Sequence, residues 1–322
     1  MTRTVPAHPA SSRMCVTVGC ACVAAGACVA AAADAGCETV CSEAAITSES
    51  ESTMADNALQ QIVTRKKAEI AQLMAQKPIG FLREQIVGMP PTRNFFAAVA
   101  KPVLAHKTRV IAEVKHKSPS AGVIRTNFDP VDIARRYHAA GAAAISCLTD
   151  EADFGGHLSF LQQIRNEVPL PVLRKDFIID AWQIWQSRAA GADAILLIAE
   201  CLTEQQIVDF QILAIELGMT TLLEVHDVEN LYRCVPHIGF PDPAASLLGI
   251  NNRNLRTMTS DLTHTLRLAD LLEDKTNVVS ESGIRTSEDL RRLRDHGVNI
   301  ALVGEHLMKQ DDPGDALREL LA

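Results

Sequence analysis

From Arg109 onward the chain alternates between two patterns. The runs RVIAEV, AAISCLT, PVLRKD, DAILLIA, TTLLEV, SLLGIN, NVVSES and NIALVG are short, largely apolar and rich in β-branched residues, and they predict eight strands. Helical stretches lie between them, with recognisable starts and stops. Asp129-Pro130 opens one that closes at Gly141, and Thr203 with Gln206 opens another that closes at Gly218. A small residue, a glycine, one or two residues and an apolar strand recur as AAGAAAISCL, AAGADAILLI, ELGMTTLLEV and DHGVNIALVG. This is the corner of a repeated βα unit.

Eight such units predict an α/β chain folded as a (β/α)8 TIM barrel. An open doubly wound sheet is the structural alternative, but it usually stops at about five or six strands and shows a Gly-rich first turn. Neither GxGxxG nor GxxxxGK[ST] occurs. Ahead of the barrel, Ala55 to Gln76 has helical periodicity, with Ile62, Ile70 and Leu73 on an apolar face and Arg65, Lys66 and Lys67 expected on the wet one. The barrel therefore carries an extra N-terminal helical segment, and residues 54–322 form the expected catalytic domain.

Residues 1–53 follow different rules. Met14 to Ala33 is free of charge, with Arg3 and Arg13 ahead of it, which suggests a targeting segment or anchor. Alanine, valine, cysteine and glycine dominate that run, however, with little transfer energy from the alanines and glycines, and the SEAAITSESEST stretch that follows has a disordered composition. A reading frame opened too early, with Met54 as the natural start, is the third reading. Cys15, Cys20, Cys22, Cys28, Cys37 and Cys41 crowd this extension, but with no C-x-x-C pair and no neighbouring His a zinc site has weak support.

The full chain has 322 residues, long enough for one barrel of roughly 250 residues and an extension. Its net charge of −8 disfavours nucleic acid and anionic lipid, and 4% aromatic content leaves little for base stacking. A small ligand is expected, with no nucleic-acid partner and no membrane for the barrel. Cys147, Cys201 and Cys234 are too far apart for a disulfide framework and read as small hydrophobes in a reducing compartment, hence the cytoplasm.

In a barrel the C-terminal strand ends form the active face, so polar residues there carry information. Strand one ends with Glu113 and Lys115, which alternation puts on the same inward side; a solvated ion pair is the bland alternative. Strand three ends Arg174-Lys175-Asp176-Phe177, strand five ends with Glu224, and strand six ends Asn251-Asn252-Arg253. Taken singly, Lys175 is compatible with pairing to Asp176, and Glu224 with an orienting role. Together the two lysines, two carboxylates, Asn and Arg make an acid/base site whose opposite charges keep one another ionised.

Strands seven and eight end Glu281-Ser282-Gly283 and Gly304-Glu305-His306, and the free backbone N–H groups beyond them suit a phosphate. There Glu305 has to point away from the anion, and Ser118 offers a hydroxyl from the opposite rim. No H-x-x-x-H or carboxylate triad has metal spacing, so no metal is expected.

The segments IAEVKHKSPSAG, LRKDFI, LLEVH, GINNRNL, SESGI and LVGEHLM, in this order at strand ends, closely resemble the indole-3-glycerol phosphate synthase family from about Met54 to the C-terminus. The first motif is the most specific; the last two are shared more widely among phosphate-binding barrels. The resemblance implies a phosphorylated small-molecule substrate, 1-(2-carboxyphenylamino)-1-deoxyribulose 5-phosphate, cyclised with loss of carbon dioxide and water in tryptophan biosynthesis. It implies no redox cofactor.

Carried onto this chain, the resemblance makes Lys175 the general acid, with Lys115 assisting at the substrate carboxylate, and Glu224 the general base. Glu113 and Asn251 orient the substrate, Glu281 fixes the lysines, and Arg253 contacts the anthranilate end. Phe177 joins the substrate-binding residues; Ser118, Ser282, Gly283 and Gly304 bind phosphate. How the lysines divide the acid work stays open. With no room for a fused isomerase barrel, a monofunctional enzyme is expected. Two rivals remain, a Schiff-base aldolase using Lys115 or Lys175 and a phosphate-binding scaffold without chemistry.

Overall fold

The computed structural model describes residues 41–100, 107–254 and 257–322, with side chains from residue 59 onward. The run Met14–Ala33 and the cysteines from Cys15 to Cys37 lie outside the described residues, as do the side chains of Cys41 and Met54 and, in the strand-six motif, Leu255. The chain divides into two units, Met1–Ile46 and Thr47–Ala322, and the barrel lies wholly in the second.

Its eight strands are β1 (Arg109–Val114), β2 (Ala144–Leu148), β3 (Val172–Lys175), β4 (Ala194–Ile198), β5 (Thr220–Val225), β6 (Ser246–Asn251), β7 (Val278–Glu281) and β8 (Ile300–Val303). They form a closed parallel barrel, in which β1 pairs with β2 on one side and β8 on the other. Each falls within one of the eight apolar runs. A short hairpin, Lys117–Ser118 against Gly122–Val123, follows β1.

The helix signals act as their chemistry requires. Asp129 accepts from the amides of Val131 and Asp132 to start Pro130–Ala140, which Gly141 ends at φ 94°. Thr203 and Gln206 form a reciprocal capping box on Glu204–Glu216.

Alternation along each strand sorts the core. Outward residues such as Val110, Ala112, Ile145, Val172 and Leu197 pack under the helices. Inward residues including Ile111, Leu173, Leu196, Leu222, Leu247 and Ile300 fill the barrel, together with Phe95 and Val99 of the short helix Phe95–Ala100. The amide of Phe96 donates to Thr220 Oγ1 at the start of β5, so this helix closes the N-terminal end. Toward the C-terminal end the inward positions change character, to Glu113, Lys175, Glu224, Asn251 and Glu281.

Helix α1 spans Cys41–Gln76, and its first turns run through the Ser/Glu-rich stretch. Ile70 and Leu73 pack with Leu82 and Trp182. Lys66 departs from its expected wet face: it is 2% exposed and is paired with aspartates of the barrel. Among the described residues no helix is long and apolar enough to cross a membrane.

Candidate active site

The C-terminal mouth of the barrel opens into a cavity of about 850 Å³ lined by Glu113, Lys115, Lys175, Glu224, Asn251, Arg253 and Glu281, with Phe177, Ser282, Gly283 and Gly304 also on its wall. Leu59, Leu148, Phe154, Leu196 and Ile198 add an apolar side.

Lys175 is central. Its Nζ donates to Glu224 Oε2 at 2.8 Å and lies 3.2 Å from Glu281 Oε2. Burial works against the charge, but Glu224, Glu281 and Glu113 outweigh it and raise the ammonium pKa above its ordinary value. Lys175 is therefore held as a cation. Across the mouth, Lys115 Nζ lies 2.5 Å from Glu113 Oε1. Both side chains are largely buried, unlike a solvated surface pair.

The two carboxylates around Lys175 are pushed apart. Burial raises Glu224, but Lys175 and then His226 outweigh it and bring the group down to about 2. For Glu281, burial is reinforced by the neighbouring Glu224 and outweighs Lys175, pushing it up to about 8. Both Glu281 oxygens are buried without a hydrogen bond of good geometry. Near neutral pH Glu224 is ionised while Glu281 is largely protonated.

Two glycines make room for these acids. A Cβ on Gly249 would run into Glu281 Oε1, and one on Gly304 would run into the Glu113 carboxylate. Gly304, expected at the phosphate, thus has a second duty inside the barrel. The loop after β7 is also shaped by its backbone: Ser282 has φ 68°, a conformation costing about 1–3 kcal/mol for a residue with a Cβ, and Gly283 follows at φ 77°. Asn252 braces it, donating from Nδ2 to Ser280 Oγ and the Ser282 carbonyl, each at 3.0 Å.

Ser118 is turned away from the cavity. It is buried in the hairpin after β1, where its Oγ accepts from the Ala121 amide at 3.2 Å, and Ser120 lines the cavity in its place. Pro119 separates the two serines, and hairpin pairing decides which of them faces inward. Arg253 reaches from the end of β6 to the loops after β1 and β8, donating to Ser120 Oγ and to Glu305 Oε2, each at 2.7 Å. Glu305 also accepts from Lys309, and despite burial these two cations bring it down to about 2.

His226 is the main residue for which the sequence offered no role. Its ring lies 3.5 Å from Glu224 Oε1 and 3.3 Å from Glu200 Oε2, and these carboxylates outweigh burial to raise its pKa. A signal was available: two residues beyond Glu224, alternation continues to the same side. Among the described residues, no group of three His, Cys, Asp or Glu side chains is arranged to hold a metal ion.

The family model for indole-3-glycerol phosphate synthase matches residues 59–320. An indole-3-glycerol phosphate synthase from Polaromonas naphthalenivorans is 45% identical over 262 residues, covering 81% of this chain and 97% of the relative. One from Rhodopirellula baltica is 46% identical over 264 residues, covering 82% and 98%. Among solved structures, a ligand complex of KGPDC from Streptococcus mutans aligns with a TM-score of 0.50 at 12% identity, covering 66% of this chain and 95% of that one, a likeness of fold alone.

Proposed function

The chain belongs to the indole-3-glycerol phosphate synthase family, and from that premise we propose how its own residues carry the reaction. The enzyme is a carboxy-lyase of tryptophan biosynthesis that closes the indole ring of a phosphorylated substrate, releasing carbon dioxide and water.

The observation that carries the reading is the Lys175 ammonium, fixed between Glu224 and Glu281 at the floor of the cavity. Lys175 donates its proton to the ribulose carbonyl oxygen as the ring carbon bearing the carboxylate attacks the carbonyl carbon. One C–C bond forms, and the carbonyl becomes a hydroxyl. The C–C bond to the carboxylate then breaks, carbon dioxide leaves, and its electron pair returns to the ring. The new hydroxyl takes a second proton, from the Lys115 ammonium, and leaves as water, while Glu224 removes a proton from the neighbouring carbon to complete the indole.

Acid and base are coupled. While Lys175 is charged, Glu224 is held as a weak base; once Lys175 has given up its proton, that restraint disappears and Glu224 becomes a stronger one. Lys115, beside Glu113, is suited to the substrate carboxylate, with Asn251 orienting the reacting chain. Phe177, Phe154 and Leu59 offer an apolar wall to the aromatic ring. The amides of Ser282, Gly283 and the Gly304 turn, with Ser120 replacing Ser118, form the phosphate end. Arg253, held between Ser120 and Glu305, offers its guanidinium to the anthranilate end.

A Schiff-base aldolase needs a lysine that readily loses its proton; the raised pKa of Lys175 argues for the acid instead. Incubating the enzyme with 1-(2-carboxyphenylamino)-1-deoxyribulose 5-phosphate and following indole fluorescence, with and without borohydride, tests this. Product formation without a trapped lysine adduct supports ring closure by acid/base catalysis. A stable adduct on Lys115 or Lys175 overturns it. The reduced Cys147, Cys201 and Cys234 support a cytoplasmic setting.

A further inference from the structure

Helix α1 delivers a cation to the edge of the active site, and the reaction as described makes no use of it. Lys66 Nζ lies 3.0 Å from Asp150 Oδ2 and 2.9 Å from Asp176 Oδ1, and all three side chains are at most 2% exposed. The two aspartates stand just past the ends of neighbouring strands. Asp176 immediately follows Lys175 of β3, so the two side chains leave the strand on opposite sides, one into the mouth and one toward α1. Asp150 follows the end of β2 and caps the short helix Glu151–Phe154, accepting from the Asp153 amide at 2.8 Å.

We infer that Lys66 is a positioning residue for the reaction, bridging Asp150 and Asp176 so that the ends of β2 and β3, and with them the aim of Lys175, are held in one arrangement. The inference rests on the reading of Lys175 as the acid.

Three observations support it. Asp176 is tied down from every side: Arg174 Nη2 at 2.9 Å, Thr149 Oγ1 at 2.6 Å and the Phe177 amide at 2.8 Å complete its shell with Lys66. Despite burial, Arg174 and Lys66 hold its carboxyl well below the usual carboxylate range, so it stays an anion opposite the Lys66 cation. Second, α1 has an apolar anchor elsewhere, where Ile70 and Leu73 meet Leu82 and Trp182. A methionine at position 66 would fill the same space without desolvating a charge, so anchoring alone does not explain the lysine. Third, the same helix places Leu59 on the cavity wall, which makes α1 part of the site.

The test uses the full chain with Lys66→Met, Lys66→Arg and Lys175→Ala, measured at a temperature where thermal denaturation shows each to be folded. Lys66→Met is expected to lower kcat about tenfold with KM within about twofold, and Lys66→Arg to recover most of kcat, because misplacement of a catalytic group is felt in the chemical step. Wild-type kcat in Lys66→Met with inactive Lys175→Ala overturns the positioning role and leaves the acid reading standing. A rise in KM alone likewise overturns it. Turnover in Lys175→Ala overturns the acid reading, and the positioning role with it. Should Lys66→Met fail to fold, Lys66→Gln removes the bridging charge and shortens the side chain while leaving the other partners of Asp176 in place. It is expected to show the same fall in kcat, and wild-type kcat there overturns the inference.

Discussion

Gly304 leaves out a side-chain carbon where the carboxylate of Glu113 stands. Gly304 follows β8, the neighbour of β1, and the missing Cβ leaves room for the Glu113 carboxylate, whose Oε1 lies 2.5 Å from Lys115 Nζ at the end of β1. Gly304→Ala is therefore expected to push Glu113 aside. Overpacking of this kind costs about 1–3 kcal/mol of stability, and displacing a catalytic group by about 1 Å can cost about 10²-fold in rate. Adding Glu113→Ala should restore the stability without restoring the rate. Denaturant unfolding and steady-state kinetics on the single and double variants check this; full activity in Gly304→Ala would contradict it.

Removing Lys175, the proposed acid, should affect chemistry and spare binding. Lys175→Ala is expected to lower kcat by about 10²- to 10⁴-fold, the usual contribution of a positioned proton donor. Affinity for indole-3-glycerol phosphate should change only a few-fold, because the phosphate end and the apolar wall remain. Single-turnover kinetics paired with product titration separates the two effects. Loss of product binding equal to the loss of rate would mean that Lys175 mainly holds the ligand.

Glu281 provides the pH dependence. With its carboxyl pushed up from 4.5 to about 8, the folded protein binds a proton there that the unfolded chain has released. The contribution of this group to stability therefore falls as pH rises between those values. Above about pH 8 a second negative charge appears beside Lys175 and strengthens its hold on the proton it must donate. The kcat/KM profile is expected to decline as pH rises through that region, and Glu281→Gln, which stays neutral, should lose that limb. The comparison is a pH–rate profile for both proteins, and an unchanged limb in the variant would assign it to another group.

The barrel was legible because a parallel strand buried on both faces reads as a short apolar run, and the capping residues around it have few other uses. The polar side chains of the mouth were legible for a related reason: Glu113, Lys175, Glu224 and Glu281 interrupt inward positions that a packed barrel fills with apolar groups. Lys66 was not, because helical periodicity says which residues share a face but not what the face meets. A lysine between two buried aspartates has the same sequence spacing as one in water. Ser118 and Ser120 differ only through the pairing of a hairpin with two residues per strand, which no local pattern specifies. His226 was visible as a motif letter, but its value depends on Glu200, a residue beyond a different strand.

The opposite end of the barrel offers a contrast in kind. Asp193, fully buried just before β4, accepts from the Arg93 amide at 2.7 Å through Oδ1 and from the Val172 amide at 2.9 Å through Oδ2, and it is paired with Arg165. These contacts tie together the segment before the barrel, the start of β3 and a helix, all at the N-terminal face, where polar networks usually serve stability. Asp193→Ala leaves the Arg93 and Val172 amides without their acceptor and takes the carboxylate from the buried Arg165, and breaking such a buried pair typically costs about 3–5 kcal/mol. The expected outcome is a large drop in the denaturation midpoint, with kcat of the folded enzyme at low temperature within about twofold of wild type, because no catalytic distance changes. Unfolding curves and kinetics on the same preparation decide it. A fall in kcat with stability intact would show that the N-terminal face is coupled to the catalytic mouth.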